Sequence, residues 1–373
     1  MPSLLLLFEY PTLFGGERSA LSILDVVKTA GFRVLAAAPA EGPLADALRQ
    51  QAIKTLPFSV RDAAGQTRPL ADRRQDLEQL LRSARPDLLH ANSLAMSRLS
   101  GPVAKSLGLA SVGHLRDIVK VSRSAIVDLN CHRQLIAVSR ATRDCHVLAG
   151  VVAKKTTVVF NGVDLDEFRP RAATGFLHRE LRLPPDAQLV GSIGQLSLRK
   201  GLDALIEAAR IVVAQSDRAH FVIVGRRFSD KSESRQLEER LRSASTTGQL
   251  AGHVHWLGTR TDVAAILGEL AVLAHAARQE PLGRVLLEAA AAGIAIVATD
   301  VGGTREIFSV ESHAACLVAA DDPDGLAREL AALLQDDERR TVLGRAARQR
   351  AECEFDARQA GTNLVNVYNA VLK

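Results

Sequence analysis

The chain has 373 residues, enough for about two ordinary domains. Hydrophobic residues make up 47% and charged residues 24%, the balance of a globular chain, and no long stretch lacks apolar residues, which argues against disorder. A net charge of +5, with aromatics at only 4%, argues against a nucleic-acid partner.

The first apolar run, residues 4–8, is cut short by Glu9. It lacks a basic flank and a small-residue cleavage site, so it reads as a buried strand and not as a signal peptide. No stretch approaches the ~18 apolar residues of a membrane-spanning helix, and a cytoplasmic setting is expected. Cys131, Cys145, Cys316 and Cys353 are widely spaced with no C-x-x-C pair, which fits free thiols in a reducing compartment. His253 and His255 alternate in an apolar segment and read as one face of a strand, so no metal site is expected.

Short apolar runs at residues 4–8, 34–38, 88–90, 110–112, 135–138 and 157–160 read as buried parallel strands. Between them Ala20, Leu21, Leu24 and Val27 mark one helix face, and Leu77, Leu80 and Leu81 another. Residues 98–155 carry ten Lys or Arg against Asp117, Asp128 and Asp144. That surplus reads either as a solvated face or as a surface for an anionic acceptor or membrane head groups. Asn161-Gly162 forms a turn, and residues 169–175 look like a linker. The rhythm then restarts, with strands at 189–193, 221–224, 254–257, 271–275 and 294–298. Helices are expected at 202–213, 236–241, 323–335 and from 338 onward. This alternation predicts two Rossmann-like α/β domains, residues 1–168 and 169–373.

Ligands of such sheets bind where strand ends lead into helix starts, and four segments qualify. Phe14-Gly15-Gly16-Glu17 allows close backbone approach to a ligand, or is only a tight turn. Gly194-Gln195 through Arg199-Lys200-Gly201 sets cations beside a helix start, as a diphosphate would require, and reads equally as a solvated loop. In the third segment Pro281 suits a first helical turn, which would put Glu280 at that helix's edge and Glu288 two turns in. Glu288 sits among Val285, Leu286, Leu287 and Ala289, so if buried it needs a polar partner such as a ribose diol. The fourth is Thr299-Asp300-Val301-Gly302-Gly303, another glycine turn before a polar helix start.

Read together, Glu280-Pro281-Leu282-Gly283-Arg284 through Glu288-Ala289, then Ala292-Gly293 and Val297 to Gly303, resemble the E-x₇-E signature and glycine loop of family-4 retaining glycosyltransferases of the GT-B fold. Gly15-Gly16, Val138-Ser139, Asn161-Gly162-Val163-Asp164 with Phe168 and Pro170, Arg199-Lys200-Gly201 and Leu257-Gly258 follow in that family's order. The resemblance implies two Rossmann-like domains facing a central cleft, an acceptor-binding first domain and a donor-binding second. It also implies a helix near 355–373 crossing back to the first domain. It implies a metal-independent hexosyltransferase using a nucleotide-diphosphate sugar such as a UDP or GDP sugar, with no cofactor.

By the same resemblance His114 and Glu280 are catalytic: His114 lies near the transferred sugar, and Glu280 holds sugar hydroxyls. Glu288 would hold the ribose, Lys200 and Arg199 would neutralise the diphosphate, and Gly15 and Gly16 would let the first domain approach it. Gly283, Arg284 and Val285 would complete the donor site. Gln195 stands where the family often has arginine, and Arg199 or Arg284 are the candidates to replace that cation. Asp164-Leu165-Asp166 looks like a D-x-D metal motif but falls in a turn, where capping explains it. The expected partners are the nucleotide-sugar donor and a glycan or lipid-linked acceptor, with peripheral contact at the inner membrane face through the basic segment. The alternatives are a nucleotide-sugar epimerase or phosphorylase on the same scaffold, or a non-catalytic sugar- or nucleotide-binding protein.

Overall fold

The computed structural model describes residues 1–229 and 231–373. Its chain falls into two compact units, Met1–Gly162 with Ala357–Lys373, and Val163–Asp356. The first boundary therefore lies six residues before the one read from the sequence.

In the first unit the strands are β1 (Ser3–Leu7), β2 (Arg33–Ala38), β3 (Lys54–Pro57), β4 (Leu88–Ala91), β5 (Ala110–Leu115), β6 (Gln134–Ala137) and β7 (Thr156–Val158). They form one parallel sheet in the order β3-β2-β1-β4-β5-β6-β7. Strand β1 is apolar at nearly every position because helices cover both its faces. Successive residues alternate sides: Leu4, Leu6 and Phe8 join one core, and Leu5 and Leu7 the other. Helix Ala357–Leu372 closes the first of these cores with Leu364, Val365, Tyr368 and Val371, the Tyr368 ring meeting Phe32 edge-on at 5.6 Å.

In the second unit β8 (Gln188–Ile193), β9 (Ala219–Val224), β10 (Val254–Gly258), β11 (Val272–His275), β12 (Ala295–Thr299) and β13 (Cys316–Val318) form a parallel sheet ordered β10-β9-β8-β11-β12-β13. The two orders share one logic. Each sheet starts in its interior, winds outward to one edge, then returns to build the other. That reversal leaves the ends of β1, β4 and β5 together in one unit, and those of β8, β11 and β12 together in the other.

Three expectations need correction. The single helix carrying Ala20 to Val27 is two, Gly15–Leu21 and Leu24–Thr29, because the Ser22 hydroxyl bonds the Ser19 carbonyl and competes with helix continuation. Strands β3 and β13 were not anticipated. Pro281 does not open a helix: Gly283, at φ +105°, precedes a helix that begins at Arg284.

Candidate active site

In the second unit, β8 leads through Gly194 and Gln195 into a 3₁₀ turn at Leu198–Lys200 and then helix Leu202–Gln215. Lys200 reaches across to form an ion pair with Glu280, in the loop after β11. His275, the final residue of β11, makes a 2.8 Å hydrogen bond from Nε2 to the same Glu280 oxygen, Oε2. Neither contact uses Oε1. Glu280 is 6% exposed. Burial by itself would raise its carboxyl, but the Lys200 ammonium and the His275 N–H outweigh burial and hold it well below the usual carboxylate range. Burial, reinforced by Lys200, pushes His275 below 6.5, so near neutral pH it is uncharged and its Nε2–H is the donor.

Backbone contacts fix this cluster. The Arg199 carbonyl accepts from Arg278 N at 2.8 Å, and Gly303 N donates to the Glu280 carbonyl at 2.9 Å. A Cβ at Gly303 would stand 2.4 Å from the Pro281 oxygen, so only glycine lets the 300–303 loop pack this close to the Glu280 loop. Gln195 joins Lys200 and His275 around a recess of about 10 Å³.

Glu288 is 8% exposed and so needs the polar partner that burial demands; the chain provides one, Arg284 Nε at 2.7 Å, one helical turn before it. Arg284 is thereby engaged within its own helix. Val285 and Gly283 stand at the start of the same helix, where the first backbone N–H groups have no partner within the helix. Arg260, in the loop after β10, is held by Asp262 and Glu180.

In the first unit, Gly15 opens helix Gly15–Leu21 and the Gly16 carbonyl accepts from Asn92 Nδ2 at 3.2 Å. Arg116 binds the Asn92 carbonyl at 2.8 Å, Asn92 Oδ1 at 2.7 Å and Asn161 Oδ1 at 2.8 Å. It thus ties together the chain beyond β4, β5 and β7. His114, in β5, is 4% exposed, and its backbone N donates to Ser97 Oγ at 2.9 Å. Its Nδ1 lies 3.2 Å from His90 Nε2, and His90 Nδ1 lies 2.6 Å from Tyr368 Oη. Burial, then Arg116 and the neighbouring imidazoles, pushes His90 down to about 3 and His114 well below 6.5, so both rings are neutral. They stand beside a cavity of about 20 Å³, with Arg116 and Asn161 on its wall.

Sequence reasoning brought forward Gly15, Gly16 and His114 in one unit, and Gln195, Arg199, Lys200, Glu280, Gly283, Arg284, Val285 and Glu288 in the other. It missed His275, although a histidine closing an apolar strand five residues before Glu280 was a readable signal. It missed Arg116, Asn92 and Asn161 as a network, and it had no local cue for the His90–Tyr368 contact, 278 residues apart. In the basic segment, Arg133, Arg143 and Lys155 donate to carbonyls of their own unit, so they are only partly available to an outside anion. Asp164 Oδ1 accepts from Asp166 N and Glu167 N at 2.9 Å, a turn contact. Among the described residues no cluster of three His, Cys, Asp or Glu is arranged to hold a metal, and no helix is long and apolar enough to cross a membrane.

Two parallel-sheet α/β units with this strand order define the chain as a GT-B fold. Residues 174–350 match the family described as Glycosyl transferases group 1, and residues 15–167 match Glycosyltransferase Family 4. The chain belongs to the family-4 glycosyltransferases. It is 32% identical over 176 residues to phosphatidyl-myo-inositol mannosyltransferase of Mycolicibacterium smegmatis, 46% of this chain and 42% of that one. It is 30% identical over 224 residues to D-inositol 3-phosphate glycosyltransferase of Corynebacterium urealyticum, 58% of this chain and 51% of that one. The chain thus spans about half the length of these curated relatives. Among solved structures, Anabaena Alr3699/HepE in complex with UDP-glucose superposes with a TM-score of 0.87 at 22% identity, over 99% of each chain. A glycosyltransferase from Rickettsia africae gives 0.82 at 17% identity, over 100% of this chain and 99% of that one.

Proposed function

We propose that the protein is a retaining, metal-independent glycosyltransferase that moves a hexose from a UDP or GDP sugar to a glycan or lipid-linked acceptor. The observation that carries this reading is the buried Lys200–Glu280–His275 cluster. Lys200 has three N–H donors and spends one on Glu280, which leaves two for phosphoryl oxygens. Glu280 Oε1 is open to a sugar hydroxyl, and Arg199 adds a second cation toward the diphosphate. Fixed side-chain cations of this kind take the place of a metal in stabilising the leaving group.

The preferred step is a same-face displacement. The acceptor oxygen bonds to the anomeric carbon as the bond to the diphosphate breaks, and the departing phosphate oxygen takes the acceptor's proton. A lipid-linked acceptor would bring exposed cations of the basic segment, such as Arg98, Lys105, Lys120, Arg123 and Lys154, near head groups, which co-sedimentation with anionic vesicles tests.

The donor is tested by thermal unfolding against UDP, GDP, ADP, CMP and NAD. A ligand at about a hundred times its dissociation constant stabilises the native state by about 2.7 kcal/mol. One nucleoside diphosphate should raise the melting temperature, and Lys200→Ala or Glu288→Ala should abolish the shift. A response to NAD alone would overturn the reading. Donor consumption that does not depend on acceptor would favour the epimerase alternative, and an inverted anomer in the product would remove the retaining assignment.

A further inference from the structure

The Tyr368–His90–His114 chain runs through the interior of the first unit, and all three side chains border one small cavity. Both imidazoles are neutral, so each carries a single proton, and the two contacts allow only two consistent arrangements. In the first, Tyr368 O–H donates to His90 Nδ1, His90 Nε2–H donates to His114 Nδ1, and His114 carries its proton on Nε2. In the second every proton is reversed: His114 Nδ1–H donates to His90 Nε2, His90 Nδ1–H donates to Tyr368 Oη, and His114 Nε2 is bare.

The arrangements differ in what they strand. His114 Nε2 is buried without a partner in either one. In the second, the Tyr368 hydroxyl proton is also stranded, because among the described residues the only hydrogen-bond partner of that oxygen is His90, which is now the donor. Tyr368 borders the same small cavity but has no exposed surface in it, so no water there reaches its hydroxyl, and an unmade buried hydrogen bond is expensive. The first arrangement leaves one orphan and the second leaves two.

We propose that Tyr368 and His90 are positioning residues that hold His114 in its Nε2–H form, so that it offers a ligand oxygen a hydrogen-bond donor and not a base. The cavity, at about 20 Å³, has room for one oxygen-sized group. Arg116 on its wall suits a hydroxyl or phosphoryl oxygen as that group. This assignment rests on the glycosyltransferase reading for its catalytic meaning, but not for its tautomer.

Long-range ¹⁵N–¹H correlation spectra of the full chain labelled at histidine, assigned with His90→Gln and His114→Gln variants, give the test. The wild-type protein should show His114 protonated at Nε2 and bare at Nδ1. Tyr368→Phe removes only a hydroxyl, and a melting transition that stays cooperative and drops by no more than one lost hydrogen bond would report intact packing. In that variant the His114 signals should move toward a mixture of tautomers. Turnover with the donor found above should fall about fivefold, the worth of one hydrogen bond, while donor KM stays within about twofold. A wild-type His114 protonated at Nδ1, or a tautomer unaltered in Tyr368→Phe, would overturn the proposal. An inactive wild-type protein that still shows the Nε2–H form would sink the transferase reading and leave the positioning role standing.

Discussion

Replacing Lys200 by methionine keeps the length of the side chain and removes its charge, which strands the Glu280 carboxylate. The side chains are 15% and 7% exposed, so this is a buried pair, for which losing one partner costs about 3–5 kcal/mol. Glu280 keeps its bond to His275, and the lower end, about 3 kcal/mol, is expected. With a urea slope of about 2 kcal/mol/M, the unfolding midpoint should drop by about 1.5 M. Trp256, the only tryptophan, lies in β10 of the same unit, and its fluorescence follows that unit alone.

The double variant Lys200→Met/Glu280→Gln should recover much of the loss, because no charge is then stranded. The pH dependence has a definite sign. In the wild type the depressed Glu280 pKa contributes stability above the ordinary value of 4.5, which is lost as pH falls. In Lys200→Met the ammonium that lowers the carboxyl is gone and burial pushes it back up, so less stability is lost as pH falls and the two midpoints converge. Additivity of the two single substitutions within about 0.5 kcal/mol would refute the coupling.

Two further outcomes follow from burial. His90 and His132 are pushed down to about 3 and about 4, chiefly by burial, and His114 lies well below 6.5. The unfolded chain binds these protons near pH 6.5, so stability is complete above that value and falls below it. Relative to pH 8, about 1.4 kcal/mol should be lost per histidine by pH 5.5, which circular dichroism melts would register. A midpoint unchanged from pH 8 to 5.5 would contradict neutral buried rings. Gly303→Ala forces a Cβ to 2.4 Å from the Pro281 oxygen and 2.8 Å from Leu282 Cα, both backbone atoms that yield poorly. A loss of about 1–3 kcal/mol and a weakened diphosphate response are expected, and wild-type values in both would refute the close packing.

The interior strands were legible because parallel sheets covered on both sides need unbroken apolar runs, as at Leu4 to Leu7 and Phe221 to Val224. The edges were not. Lys54–Pro57 has no buried residue, and Cys316–Val318 is three residues long, so neither carries the pattern. Chemistry was legible where loop, charge and helix start coincide in a short span, as at Lys200 and Glu280. What escaped was pairing at a distance. Nothing near Glu280 announces Lys200 as its counter-ion, and nothing near Tyr368 announces an imidazole. The ion pair between Arg284 and Glu288 is local, yet an i, i+4 Arg and Glu in an apolar helix fits a ligand-held carboxylate as well as a self-paired one.

The first unit is assembled from two separated stretches of chain, Met1–Gly162 and Ala357–Lys373. On the ribosome, residues 163–356 must all be made before the covering helix exists, a delay of roughly 10–40 s at ordinary elongation rates. Over that interval the face of Leu4, Leu6, Val27 and Phe32 is nascent and uncovered, and the His90 ring lies without its tyrosine. The second unit is free to close first, so the order of completion in synthesis runs against the order of the sequence. A chaperone that binds exposed apolar surface would find its target in the first unit, while the second is still being made.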